Sequence, residues 1–190
     1  MTGMTSTPID LGRPVAGDVV ELILDDHRRF ETLLRQLRDS SSDRDAVRKA
    51  VATLHVAHAE AEEKHVYPKL RNKDAITEHE AEHGEEEHAE GHEAMLKVLE
   101  LKGTDTQAFD DAVEELSRLV NHHLAEEELT ILNPARSEVS EPARAKLGDA
   151  FVTERNAQID ADCGRIENVR KIVARAKSEG LLDEAENQEE

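Results

Sequence analysis

The chain has 190 residues, of which 43 are acidic and 24 basic, for a formal net charge of −19, and only 2% are aromatic. A surface of that sign repels phosphate backbones and anionic lipid, which excludes nucleic acid and membrane surfaces as expected partners. The length suits one domain with or without an extension, and abundant Ala, Leu, Glu, Arg and Lys with few Gly or Pro favours an all-α protein.

The opening "MTGMTSTPIDLGRPVAGD" has no apolar core of the kind a signal peptide needs, and a single cysteine, Cys163, cannot form an intrachain disulfide. Both point to a cytoplasmic protein with a flexible segment over residues 1–17. A first helix is expected from about Asp18 to Arg38, with Val20, Ile23, His27, Phe30, Leu34 and Leu37 recurring at steps of three and four. "DSSSD" follows as a loop, and Ser42 or Asp43 is placed to cap a second helix from about Asp43 to Tyr67. Its stripe holds Val47, Val51, Leu54, His58, Glu62 and His65, and Pro68 disturbs its end.

A third helix begins between Asp74 and Glu80 and runs to about Lys102, with His88, His92, Met95 and Leu99 on its stripe and Gly103 as a stop. The fourth, from about Thr106 to Leu132, carries Val113, Leu116, Leu119, Val120, His123, Glu127 and Ile131. Four helices with short connections favour an antiparallel up-down four-helix bundle over residues 18–136. Residues 137–190 form a C-terminal helical extension: Ile159, Ile166, Val169, Val173 and Ala176 repeat at helical spacing, with a break expected near Gly164 and an acidic tail over the last eight residues. This extension packs on its own bundle or forms the seam of a homodimer, so the chain is expected to be a monomer or a homodimer.

Polar residues interrupt the apolar stripes in a repeating way. Residues four apart share a helix face, so His58 points with Glu62 and His123 with Glu127, each pair in line with the apolar positions of its own helix. A buried carboxylate needs a cation, and most Arg and Lys here fall off the stripes, so metal ions are the better counter-charge. In chain order the pattern reads His27, His58 with Glu62, His88, His123 with Glu127. Antiparallel folding brings these six to a similar depth, where imidazole and carboxylate can share two metal ions. The neighbouring pair His122 and Glu126 competes for the fourth motif, but Leu116, Leu119 and Ile131 align with His123 instead.

The segments "DDHRRFETLL", "HVAHAEAEEKHVYPKL", "EEHAEGHEAMLKVLE" and "VNHHLAEEELTILNPAR" resemble the hemerythrin-like, HHE cation-binding family. The resemblance implies a non-haem di-iron centre with two Fe ions and an oxo or hydroxo bridge, the two glutamates bridging the irons and the histidines holding them from either side. Hemerythrin proper has two histidines four apart on its third helix, so "HAEGH" adds His92 to the candidate metal ligands His27, His58, Glu62, His88, His123 and Glu127. His65 is a candidate to support a ligand or a bridging oxygen. His79 and His83 are read as surface residues, His55 and His122 as intermediate, and Tyr67 as a packing residue pointing away from His58.

A ferritin-like arrangement would need ExxH on two helices, and the fourth segment has none. A structural zinc site closes at four ligands, fewer than are offered here. Imidazole-rich ligation contributes about two negative charges, fewer than a carboxylate-rich site, and this favours binding dioxygen, peroxide or nitric oxide over high-valent oxygen activation. The expected functions are oxygen sensing or protection against oxidative or nitrosative stress, with a catalase-like activity as the enzymatic version. The competing readings are a metal-stabilised structural or iron-storage bundle without turnover, and an acidic protein-binding module.

Overall fold

The computed structural model describes residues 9–182. Among them the regular structure is all helical, with no strand. Helix α1 spans Val19–Arg38 and is capped by Asp18, whose carboxylate accepts from the Val20 amide. Asp43 caps α2, Arg44–Ala61, in the same way through the Ala46 amide. Thr77 and Glu80 close a reciprocal capping box on α4, Glu78–Glu100, and Thr106 caps α5, Gln107–Glu127.

Arginine contacts at one end of the molecule establish the direction of each helix. Arg38, last in α1, donates from Nε to Glu114 near the start of α5 at 2.7 Å. Arg44, first in α2, reaches the Leu37 and Thr104 carbonyls at 2.6 and 2.8 Å. Arg48, one turn on, donates to the Val98 and Leu101 carbonyls at the end of α4 at 3.1 and 2.9 Å. Two helices therefore finish where two begin, and α1, α2, α4 and α5 form an antiparallel up-down bundle in which each packs on its neighbours in order.

Helices α2 and α5 do not stop at their glutamates. Each passes through one wide turn, Glu62–Val66 and Glu128–Leu132, and continues as a short helix, α3 (Tyr67–Arg71) and α6 (Asn133–Glu138). The amide of Tyr67 bonds to the Glu62 carbonyl and that of Asn133 to the Glu128 carbonyl, five residues back in each case. Pro68 and Pro134 explain the slip: each lacks an N–H and its ring would strike the carbonyl four residues earlier, so the turn widens. The extra residue before Pro134 is absorbed because the second wide turn starts one position later, leaving His123 and Glu127 in register.

Two apolar layers fill the bundle. Phe30, Leu34, Leu37, Leu54, Met95, Phe109 and Leu116 build one, and Val20, Ile23, Val66, Leu70, Ile131 and Phe151 the other. The extension lies outside the bundle but against it. Helix α7, Glu141–Asp160, packs along α1 and α2, and α8, Ile166–Ser178, along α4. The chain breaks between them at 161–165, where Gly164 approaches Thr53 so closely that a Cβ would lie 2.4 Å from its amide nitrogen. Val169, Val173 and Ala176 of α8 are buried against Val56, Ala57 and Ala89.

Residues 9–17 run as coil along α7, where Arg155 and Asn156 hold the carbonyls of Leu11, Gly12 and Pro14. Residues 1–8 of the expected flexible segment, and the expected acidic tail over 183–190, lie outside the described residues. No described helix is long and apolar enough to cross a membrane.

Candidate metal centre

Between the two apolar layers lies a polar one made of the six repeated residues. His27, His58, Glu62, His88, His123 and Glu127 are each at most 4% exposed. They fall into two groups, His27 with His58 and Glu127, and Glu62 with His88 and His123; within each group the potential ligand atoms lie within 4.8 Å of one another. Each carboxylate also touches a histidine of both groups. Glu62 places one oxygen 3.1 Å from His58 Nε2 and the other 3.2 Å from His88 Nε2. Glu127 Oε2 is 3.1 Å from His27 Nε2 and 3.7 Å from His123 Nε2.

Of these contacts only that of His27 with Glu127 is a hydrogen bond. His58, His88 and His123 each have an Nε2, and Glu62 an Oε1, that is buried with no hydrogen-bond partner. Buried polar atoms are rarely left so, and three ring nitrogens converging on two carboxylates, one of which has an unpartnered oxygen of its own, fit the donor set of a metal ion.

The opposite nitrogen of every ring is occupied. His27 Nδ1 meets Glu128 at 2.8 Å, His58 Nδ1 meets Asp26 at 3.2 Å, His88 Nδ1 meets Glu63 at 2.8 Å, and His123 Nδ1 meets Glu87 at 2.9 Å. A carboxylate on Nδ1 holds the proton there, leaves the Nε2 lone pair facing inward, and makes the ring a stronger donor.

Sequence reasoning missed these four acids, although a signal existed. The residue before each lone stripe histidine is acidic, Asp26 and Glu87, and so is the residue after each stripe glutamate, Glu63 and Glu128. Their side chains reach across to the next helix, which is why a one-helix stripe analysis reads them as solvated.

Electrostatics show a demand for positive charge at the centre. Burial disfavours charging the His58 ring, but Glu62 and Asp26 outweigh it and push the ring up to about 10. His88, opposed by burial and favoured by Glu62 and Glu63, is likewise raised to about 10. Burial works against the Glu62 carboxylate, yet His58 and His88 hold it well below the usual range. Protons or metal ions meet the same demand.

Tyr67 corrects the sequence reading. In a regular helix it would lie about 140° away from Glu62, and it was expected to pack away from His58. The wide turn at Glu62–Val66 brings it inward, where its hydroxyl donates to Glu127 Oε1 at 2.8 Å and lies 3.4 Å from Glu62 Oε2. Its ring stacks on His88 with centroids 5.9 Å apart, and Gly84 leaves it room, since a Cβ there would sit 3.0 Å from the hydroxyl.

The same turn carries His65 outward, to 3.5 Å from Glu154 on α7 and away from the ligands. His92 joins neither group: it is buried edge-on to His55 with centroids 4.4 Å apart. His79 and His83 lie at the surface as expected, and His122 and Glu126 point outward where His123 and Glu127 point inward.

The extension reaches the centre as well. Arg155 of α7 is fully buried and donates from Nε and Nη2 to the two oxygens of Asp26, both at 2.7 Å, while Asp26 holds His58. Phe151, one turn earlier, meets the His58 ring edge-on at 5.8 Å.

An antiparallel bundle whose middle layer is two His/Glu groups joined by two carboxylates defines a His/Glu metal-binding helical protein. The chain belongs to the hemerythrin family: the model of the hemerythrin HHE cation binding domain matches residues 18–134. Comparison with curated proteins and with solved structures gave no match.

Proposed function

We propose that His27, His58, Glu62, His88, His123 and Glu127 would hold two non-haem iron ions, and that the protein binds dioxygen or reacts with peroxide or nitric oxide there. The observation that carries this reading is the convergence of four buried imidazoles on two buried carboxylates, each of which contacts rings of both groups. Two iron ions would supply reversible binding of, or electron transfer to, a small oxidant.

The chain's own residues do the rest. The four outer carboxylates make the imidazoles stronger donors and so favour the more oxidised metal. Tyr67 keeps its proton, because burial and the nearby Glu127 and Glu62 raise it well above the usual phenol range. Its hydroxyl therefore stays a neutral hydrogen-bond donor to Glu127, close to Glu62 as well. Phe30 and Phe151 pack edge-on against His58 and exclude water from that side. In this reading residues 18–136 carry the metal chemistry, residues 137–182 buttress it, and the role is oxygen sensing or protection against oxidative or nitrosative stress in the cytoplasm.

The test is metal content per chain after anaerobic reconstitution with ferrous iron, followed by visible spectra on adding dioxygen, peroxide or nitric oxide. About two irons per chain, lost together in His58→Ala and in Glu127→Ala, with a spectral change on oxidant, is the expected result. Near-zero iron or a single tightly held zinc would defeat the reading. Two irons with no response to any oxidant would leave a structural bundle.

A further inference from the structure

The two halves of the bundle match in their outer carboxylates but differ in what lies beyond them. Asp26, behind His58, is saturated by the guanidinium of Arg155. Glu87, its counterpart behind His123, has no arginine or lysine partner among the described residues. One oxygen accepts from His123, and Oε1 is buried with no hydrogen-bond partner on a side chain only 9% exposed.

That oxygen faces a group of surface residues. His83 Nε2 lies 3.8 Å from Glu87 Oε1 and 3.1 Å from Glu126 Oε2. His122 Nε2 lies 3.5 Å from Glu87 Oε1 and 3.9 Å from Glu126 Oε2. Both histidines sit four residues before a glutamate of the group, so α4 and α5 each offer an HxxxE pair on adjoining faces. His83, Glu87 and Glu126 each offer a ligand atom within 4.8 Å of the other two, and His122 stands beside the two carboxylates; ligands at about 2.05 Å around a tetrahedral ion are about 3.3 Å apart.

The group also stands at an opening. A cleft of about 290 Å³ is lined by His79, His83, Glu87 and Glu126 at its outer part and by His123 and Glu127, two of the inner ligands, at its depth.

We propose that His83, Glu87, His122 and Glu126 form a further site for one divalent transition-metal ion, which is taken up there and passed along the cleft to the inner centre. The ion occupies in this half the role of counter-charge that Arg155 fills in the other. Two imidazoles and two carboxylates suit zinc or ferrous iron. The solvent-facing side chains, His122 at 60% exposure and His83 at 46%, let the ion arrive and leave. Passage inward rests on the two-iron reading of the inner centre, whereas the outer site does not.

The full-length chain and a His122→Ala/Glu126→Gln variant are compared by equilibrium dialysis against zinc with metal analysis. Both substitutions fall on solvent-facing side chains, and circular dichroism confirms that the fold is kept. The variant is expected to bind one zinc fewer per chain, and His58→Ala to lose inner ions without losing the outer one. An unchanged zinc count in the double variant overturns the site, whatever the inner centre holds. For passage, the rate at which added ferrous iron becomes resistant to an external chelator is measured. Several-fold slower filling to the same endpoint is expected, and an unchanged rate overturns the uptake role.

Discussion

Arg155 and Asp26 form a two-pronged buried ion pair, Nε and Nη2 on separate carboxylate oxygens at 2.7 Å, although they stand on opposite sides of the family-matched region's end. Asp26 in turn holds His58 Nδ1 at 3.2 Å. A residue of the extension thus sets the orientation of an inner ligand.

Replacing Arg155 by Met leaves Asp26 buried with Arg29, at 3.2 Å, as its ionic partner besides His58 among the described residues. A loss of roughly 3–5 kcal/mol in denaturant unfolding is expected, because the removal strands a buried charge. Arg155→Met combined with Asp26→Asn recovers part of it, since the stranded charge is then gone. A single-variant loss below about 1 kcal/mol would show that the pair is not structural.

Tyr67→Phe removes a 2.8 Å hydrogen bond to the buried Glu127 carboxylate while keeping the ring on His88. Bonds to charged acceptors contribute about 1.5–3 kcal/mol, so unfolding should show a loss of that order. The visible spectrum of the iron-loaded variant should also shift. A variant identical to the parent in both would remove Tyr67 from the centre.

Glu63→Gln and Glu128→Gln leave all six inner residues in place but take the charge from the partners of His88 and His27. Metal affinity, read by competition with a chelator of known strength, should fall about 10- to 100-fold in each. The near-mirror placement of the two acids predicts similar losses. Undiminished affinity would mean that the ring orientation is held by packing alone.

Acid sensitivity has an assignable source. Burial, with His88 and Arg175 nearby, lowers His92 to about 3, and burial together with His92 and His88 holds His55 well below its ordinary value. Below about pH 6.5 the unfolded chain takes up protons that the folded one refuses, so stability present at neutral pH is lost as pH falls towards about 3. Each group steepens the slope by at most about 1.4 kcal/mol per pH unit. In chelator-treated protein, urea unfolding at pH 6.5, 5.5 and 4.5 should give a flatter slope for His92→Gln than for the parent. Parallel slopes would exclude His92 as a contributor.

Much of the architecture was legible along the chain. The stripes of four helices, a cap at Asp43 or its neighbour Ser42 and the break near Gly164 follow from local rules of periodicity, capping and backbone freedom, which need no knowledge of the partner helix. So does the choice of His123 and Glu127 over His122 and Glu126, because only the former share a face with Leu116 and Ile131. The six repeated residues that meet in the middle layer were readable for the same reason: a buried face is periodic, and polar residues on it stand out.

What the one-dimensional pattern could not supply was the angular slip at the two wide turns. A helix read at a constant 3.6 residues per turn sends Tyr67 outward and His65 inward, and a proline that widens one turn reverses both. Nor could it pair residues across helices. Asp26 with Arg155 and Glu87 with His122 and Glu126 are contacts between different helices, decided by how α7 lies along α1 and α2 and how α4 lies along α5. The sequence by itself determined which residues are buried together, since burial follows from periodicity within each helix. The tertiary structure decided which charges face which, because that depends on relative rotation and depth of packed helices.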